Sequence, residues 1–192
     1  ASKDGASGTS VNQSNAKIAS IEIMESEFPT RVLRFELIKD SGGVGEFRGG
    51  LGIRREYVNL ADARFSIRSS KHVIAPLGAA GGGEGPTGDI TINPGTEAEK
   101  HLPTRYADYP LKSGDVFRLD TPGGGGLGEP RKREPKAVLA DVIEGYVSPE
   151  RAERDYGVVV TKNGRDWHID ETATAKLRTM AASSSAEGYG SS

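Results

Sequence analysis

The chain has 192 residues, of which 26 are glycine and only 35% are hydrophobic. Its 25 basic and 27 acidic residues leave a formal charge of −2, which excludes the basic surface of a nucleic-acid-binding protein and a polybasic membrane anchor. The absence of cysteine excludes disulfides and thiolate chemistry. No apolar run has the length of a membrane span or the form of a secretory signal, so we expect a cytoplasmic protein without membrane or nucleic-acid partners.

The length fits one domain with terminal extensions. Residues 1–19 are rich in glycine and serine and poor in apolar side chains, which predicts a flexible lead-in. A mainly β domain is predicted over residues 20–162, followed by a strand and helix extension over 163–180. The composition of residues 181–192 predicts a disordered tail.

Short segments with alternating apolar and polar residues predict strands. The clearest patterns span residues 31–38, 64–68 and 116–120. Weaker strand patterns span residues 20–25, 52–60, 89–92, 138–147 and 157–162. Turn residues separate these segments, so about eight short strands predict an antiparallel sandwich or a barrel-like domain with glycine-rich loops.

Two short helices are predicted near the carboxyl end. Ser148 is a good N-cap, Pro149 suits the first helical position and Glu150 lies near the positive end of the helix dipole, so a helix is expected over 148–155. The second helix is predicted over 171–180.

Glycine is concentrated in three segments, at residues 41–52, 78–88 and 121–130. A run such as Gly123 to Gly126 has no side chains to pack, so it indicates either positive φ or a very close approach of another group. The functional interpretation is that the amides of these loops bind an anion. The structural interpretation is that backbones cross closely, within the domain or at an interface with another chain. The candidate residues of these loops are Gly42, Gly43, Arg48, Gly49, Gly50, Gly81, Gly82, Thr121, Gly123, Gly124, Gly125 and Gly126.

Arg48 is the one candidate with a reactive charge. It lies between two glycine pairs, where a guanidinium beside accessible amides would suit a carboxylate or phosphate. The alternative is a structural ion pair with Glu46 or Glu56 in a hairpin with bulges.

The sequence shows no complete catalytic or metal-binding set. The spacing of His72, His101 and His168 matches no ligand pattern, and the first two are expected in exposed loops. Asp115 and Asp141 are interpreted as strand-start residues that bond the local backbone. No Walker loop, dinucleotide fingerprint or nucleophile elbow is present, so no metal site is predicted and the catalytic residues stay unknown.

Four ordered segments together resemble a known family. The segments SGGVGEFRGGLGIRRE, PLGAAGGGEGPTG, LKSGDVFRLDTPGGGGLGEP and DVIEGYVSPERAERDYGVVV span residues 41–56, 76–88, 111–130 and 141–160. They are similar to the C-terminal part of hydantoinase B/5-oxoprolinase subunits, and residues 4–29 fit the same family. The resemblance covers residues 4–180, and it is specific because four motifs occur in order.

The resemblance implies a subunit that pairs with an ATP-binding hydantoinase A-type subunit of actin-like fold. Such enzymes use ATP to open cyclic amides such as 5-oxoproline or N-methylhydantoin. The His/Asp metal motifs of the family belong to the N-terminal half, which this chain does not match. The resemblance therefore implies that ATP and a divalent metal act in the complete enzyme, that neither binds this chain alone, and that the N-terminal half of a hydantoinase B-type subunit is a partner. The alternatives are part of an acetone or acetophenone carboxylase, or a non-catalytic assembly module.

Overall fold

A computed structural model of the chain describes residues 3–9 and 19–187, with side chains described as far as Thr179. The described residues form nine strands, four α-helices and one 3₁₀ turn, Pro130–Lys132. The strands are β1 Thr30–Leu37, β2 Ile53–Asn59, β3 Ala63–Arg68, β4 Asp89–Ile92, β5 Lys100–His101, β6 Arg105–Leu111, β7 Val116–Asp120, β8 Val160–Asn163 and β9 Asp166–Ile169. The helices are α1 Ile21–Glu27, α2 Pro135–Ile143, α3 Pro149–Tyr156 and α4 Glu171–Glu187.

The main sheet has five antiparallel strands in the order β1-β2-β7-β4-β5. Tyr57 of β2 lies opposite Phe117 of β7, which lies opposite Ile92 of β4, so these side chains share one face. The rings of Tyr57 and Phe117 stack with centroids 4.8 Å apart.

The two-stranded β3–β6 sheet covers this face over β7 and β4. Phe65 and Ile67 of β3 pack against the buried Ile90 and Ile92. This confirms the mainly β, sandwich-like prediction, and the described strands do not close into a barrel.

A second core lies among α2, α3 and the β8–β9 hairpin. We call it the helical core; its buried residues are Val138, Val142, Val147, Ala152, Tyr156 and Val158. Helix α4 adjoins it, because Thr174 Oγ1 accepts a hydrogen bond from the Val159 amide at 3.0 Å.

Helix α3 has the predicted local signals. The Ser148 hydroxyl oxygen accepts a hydrogen bond from the Arg151 amide at 3.2 Å, and Pro149 occupies the first turn. The helix ends at Gly157, whose φ of 63° is the left-handed conformation that favours glycine. The helix prediction for 148–155 is confirmed.

Two strand predictions were wrong, and helices take their place. Residues 20–25 belong to α1, which begins after Ser20 as N-cap; the hydroxyl of Ser20 accepts from the Ile23 amide at 3.4 Å. Residues 138–147 mostly belong to α2, which has Pro135 in its first turn and buries Val138 and Val142, four residues apart. The prediction of only two helices was therefore also wrong.

Helix α4 continues past its predicted end at residue 180 and reaches Glu187. Residues 181–187 of the predicted disordered tail are therefore helical, and 188–192 lie outside the described residues.

The lead-in contains a docked segment, Lys3–Thr9. The Gly5 amide donates to the Arg48 carbonyl at 2.7 Å, and the Leu51 amide donates to the Ser7 hydroxyl oxygen at 3.0 Å. The prediction of flexibility was wrong for these residues, because backbone and serine hydrogen bonds replace the missing apolar contacts; residues 10–18 of the lead-in lie outside the described residues.

Candidate functional site

The three glycine segments meet in space. The Gly43 amide donates to the Gly124 carbonyl at 2.8 Å, which joins the first segment to the third. The Gly126 amide donates to the Gly83 carbonyl at 2.9 Å, which joins the third segment to the second. We call this arrangement of residues 41–52, 78–88 and 121–128 the glycine junction.

Close approach, not positive φ, explains the run of four glycines. None of Gly123 to Gly126 is among the glycines with positive φ. A Cβ added at Gly123 would overlap the Ser41 carbonyl oxygen, and one at Gly126 would overlap the Val44 carbonyl oxygen. At Gly125 the overlap is with the Leu77 carbonyl oxygen.

Most of the other candidate glycines follow the same rule. Gly49 faces the Gly124 carbonyl, Gly50 faces the Ala6 carbonyl and Gly82 faces the Gly126 carbonyl so closely that no Cβ fits. Gly42 similarly faces the Gly49 carbonyl oxygen.

Two candidates lie at the margin of the junction. Gly81 has a φ of 90° and lies beside the Glu129 side chain. Thr121 contributes its hydroxyl oxygen, which accepts from the Ile53 amide at 2.7 Å.

Most junction amides that could hold an anion already donate to carbonyl oxygens. These donors are Gly43, Gly49, Gly82, Gly83, Gly124 and Gly126. Because an anion would have to displace these backbone bonds, the geometry favours the close-crossing interpretation over an anion cradle at these amides.

Arg48 is buried, with 5% of its surface exposed. Its Nε lies 3.3 Å from Asp141 Oδ1, and its Nη1 donates to the Gly49 carbonyl at 2.8 Å. Its guanidinium also lies 5.2 Å from the centre of the Tyr146 ring. The ion-pair interpretation is correct in kind, but the partner is Asp141.

Glu56, one of the two predicted partners of Arg48, instead pairs with Arg118 at 2.9 Å. Glu46 contributes its carbonyl oxygen to Arg133. Glu46 and Glu56 make other contacts because the side chain of Arg48 lies against α2.

Arg133 joins the same network. Its Nη2 lies 2.8 Å from Asp141 Oδ2, and its Nη1 lies 2.6 Å from Asp4 Oδ1. We call Asp4, Arg48, Arg133 and Asp141 the buried ion cluster. Asp141 lies in a helix, so its interpretation as a strand-start residue was wrong, whereas Asp115 does bond locally, accepting from the Lys112 amide at 2.7 Å.

Asp4 in the cluster and the neighbouring Tyr156 both have displaced pKa values. Burial acts to raise the pKa of the Asp4 carboxyl, but hydrogen bonds from Arg133 and the Arg48 amide, with the charges of both arginines, lower it below 3.8. Burial raises the pKa of Tyr156 to about 12, and its hydroxyl has no hydrogen-bond partner among the described residues. The Asp4 carboxyl is therefore ionised at neutral pH and pairs with Arg133.

A separate polar cleft of about 510 Å³ is lined by Arg68, Ser69, Ser70 and Arg105. Ser69 Oγ lies 2.6 Å from His72 Nε2, and burial lowers the pKa of His72 despite the charge of Asp89. Sequence reasoning missed this pair, because His72 was assigned to an exposed loop and is partly buried.

His101 is exposed as expected, although it lies in β5. Its Nδ1 lies 2.9 Å from Asp89 Oδ1, and this hydrogen bond raises the pKa of His101. The contact is an exposed pair at the sheet margin.

The described side chains contain no group of three or more His, Asp or Glu residues that could hold a metal ion. In the part of the chain that the structure describes, no helix is long and apolar enough to cross a membrane.

Fold and site together define a mainly β domain built around a backbone crossing. Its buried charges pair with one another, and its described residues offer no metal-ligand cluster. The chain belongs to the Hydantoinase B/oxoprolinase family, whose profile matches residues 1–130.

Relatives of this family include components of multi-subunit enzymes. The chain is 36% identical to the B subunit of a putative D-/L-hydantoinase of Pseudomonas sp. over 179 residues, covering 93% of this chain and 30% of the relative. It is 35% identical to the beta subunit of the caprolactamase of Pseudomonas jessenii over 162 residues, covering 80% and 27%. An uncharacterized protein of Methanocaldococcus jannaschii, MJ0963, is 39% identical over 161 residues, covering 83% and 28%.

Solved structures share the fold. The ATP-dependent caprolactamase of Pseudomonas jessenii superposes with a TM-score of 0.70 at 31% identity, covering 83% of this chain and 28% of that chain. Acetone carboxylase in its nucleotide-free structure superposes with a TM-score of 0.77 at 23% identity, covering 96% and 29%. The chain thus spans less than a third of the length of these relatives.

Proposed function

We propose that the chain is the C-terminal portion of a hydantoinase-B-type subunit of an ATP-dependent hydrolase. The complete enzyme opens the C–N bond of a cyclic amide such as 5-oxoproline or N-methylhydantoin. The observation that carries this proposal is the 36% and 35% identity to a hydantoinase component and a caprolactamase component.

In this proposal the chain supplies a rigid wall and contacts with the other parts of the enzyme. The glycine junction suits such a role, since three loops held by mutual backbone bonds form a surface that changes shape little. The described residues offer no metal cluster, so the divalent metal belongs to the N-terminal half of the subunit. ATP binds the hydantoinase A-type partner, and the assembly works in the cytoplasm, where ATP is available.

A carboxylase of acetone or acetophenone is the second candidate. Only the fold supports this candidate. The chain superposes on acetone carboxylase with a TM-score of 0.77, but the sequence identity is 23%. A non-catalytic assembly module is a third candidate, and the pairing of the junction amides with carbonyls supports it.

A chimera tests the proposal. The region of the caprolactamase beta subunit that matches this chain is replaced by this chain, and the rest of that enzyme is kept. We expect ATP-dependent ring opening of caprolactam, 5-oxoproline or N-methylhydantoin, measured as ring-opened product per ADP released. Carboxylation of acetone without ring opening would favour the second candidate, and neither activity would favour the third.

The isolated chain serves as the control. We expect it to hydrolyse neither ATP nor any of the three amides in the presence of a divalent metal. Turnover by the isolated chain would contradict the assignment of catalysis to the rest of the enzyme.

A further inference from the structure

The main sheet is only half covered. The β3–β6 sheet packs on the face of β7 and β4, where Ile90 and Ile92 are at most 2% exposed. Strand β1 lies at the opposite end of the sheet, two strands away from β7. The same face is therefore buried at one end and open at the other.

The open end is apolar. Phe35 lies opposite Arg55, and Leu37 lies opposite Ile53, so register places all four on the face of Tyr57 and the core. Phe35 is 49% exposed and Leu37 is 38% exposed. We call Phe35, Leu37, Ile53 and Arg55 the β1 face.

Two further features extend the β1 face. Leu33 is 47% exposed beside it, at the bulge between Val32 and Arg34. The outer edge of β1 has no strand partner among the described strands, although Glu25 Oε1 accepts from the Val32 amide at 2.8 Å. The eight-residue edge strand β1 is apolar on this one face, which is the kind of surface that suits packing of another chain segment.

Arg55 places a guanidinium on the β1 face, and this group needs a hydrogen-bond acceptor when it is covered. Its guanidinium lies 5.2 Å from the centre of the Phe35 ring. Its Nε is buried and has no hydrogen-bond partner within the described part of the chain. A partner that covers Phe35 would also cover the still exposed part of this guanidinium, so it must present a carboxylate or carbonyl oxygen there.

We propose that the β1 face is the surface on which the remaining portion of the same hydantoinase-B-type subunit packs, with apolar side chains on Phe35 and Leu37 and an oxygen acceptor on Arg55. This inference rests on the proposed function. The matched relatives carry more than two thirds of their length outside the region shared with this chain, so a large covalently linked occupant exists in them.

The docked segment borders the β1 face at one point only. Gly8 lies beside Ile53, where a Cβ would be 3.1 Å from Ile53 Cδ1, whereas Asp4 pairs with Arg133. Phe35 and Leu37 stay exposed to another portion of the same polypeptide, which is held close to this face by the chain itself. This proximity lowers the entropy cost of its docking.

Amide hydrogen exchange tests the inference without any substitution. Exchange is compared between the isolated chain and the caprolactamase chimera. We expect the amides of residues 33–37 to exchange at least about tenfold more slowly in the chimeric polypeptide, even without its ATP-binding partner. Unchanged exchange would overturn the inference. Two other outcomes would overturn the assigned occupant. Exchange that slows only when the hydantoinase A-type partner is present would assign the face to that partner, and slowing that depends on protein concentration would assign it to a second copy.

A matched pair of variants adds a second readout. Phe35→Ser with Leu37→Ser is compared with Ile143→Ser, an exposed apolar residue at the end of α2. We expect the double variant to lower the melting temperature of the chimera by more than that of the isolated chain, while Ile143→Ser acts equally in both. Equal effects of the double variant in the two proteins would overturn the inference. A chimera that is inactive but shows slowed exchange in β1 would contradict the proposed function and still support the interface.

Discussion

The glycine junction and the helical core are both buried, but different groups stabilise them. The junction is closed by backbone hydrogen bonds, such as Gly43 to Gly124 and Gly126 to Gly83, at 2.8 and 2.9 Å. The helical core is closed by side chains such as Val138 and Val158, both fully buried. One region excludes a methyl group, and the other depends on methyl groups.

The buried ion cluster connects these two regions. Arg48 comes from the glycine junction, whereas Asp141 comes from α2 of the helical core. Asp4 adds the docked amino-terminal segment through Arg133. The comparison teaches that the junction is joined to the helices by side chains rather than by backbone bonds, through these paired charges and through Val44, which packs against the helical core.

Removal of Asp141 should have the largest effect. Asp141→Ala leaves Arg48 and Arg133 buried without their shared carboxylate, and breaking a buried ion pair in this way costs about 3–5 kcal/mol. Urea unfolding measures the change in free energy. Glu144→Ala, an exposed carboxylate at the end of the same helix, should change it by less than about 0.5 kcal/mol. Similar values for both variants would show that the cluster does not join the two regions.

Adding one methyl group should disrupt the glycine junction. Gly126→Ala places a Cβ on the Val44 carbonyl oxygen, so we expect a loss above about 2 kcal/mol in the free energy of unfolding. Gly124→Ala is the matched control, since its Cβ would lie 3.2 Å from the nearest atom, the Gly50 nitrogen. Its cost should be clearly smaller.

A larger side chain sharpens the same comparison. Gly124→Val adds two methyl groups where the alanine methyl just fits, and we expect a loss above about 1 kcal/mol. A valine variant with unchanged melting and unchanged partner binding would show that the run of glycines is a passive linker.

The smallest expected effect is the pH dependence of the docked segment. The pKa of Asp4 is lower in the folded chain than its ordinary 3.8, so the contribution of Asp4 is present above pH 3.8 and is lost as pH falls through the folded value. We expect the Gly5 and Leu51 amides, which bond between the docked segment and the glycine junction, to lose exchange protection over that acidic range before the helical core unfolds. Asp4→Asn should remove this pH dependence. Protection that persists in acid would show that the Gly5 and Ser7 hydrogen bonds hold the segment alone.

Strands with local alternation were predictable from sequence. Residues 31–38, 52–60, 64–68, 89–92 and 116–120 are observed as strands with small shifts of their ends. In contrast, Ile21 and Ile23 alternate but lie in a helix where both are exposed, so alternation there reflects no buried face. Pro135 in the first turn of α2 was a usable signal that the strand prediction for 138–147 overlooked.

The sequence by itself determined the candidate residues of the site, because runs of glycine are visible in composition and have few physical causes. It also determined the family resemblance and the mainly β fold, since alternation is a local property. Only the tertiary structure decided that the run Gly123 to Gly126 serves close crossing and not positive φ. It also decided that Arg48 pairs with Asp141, because these residues are 93 positions apart and burial of charge selects partners by proximity in space.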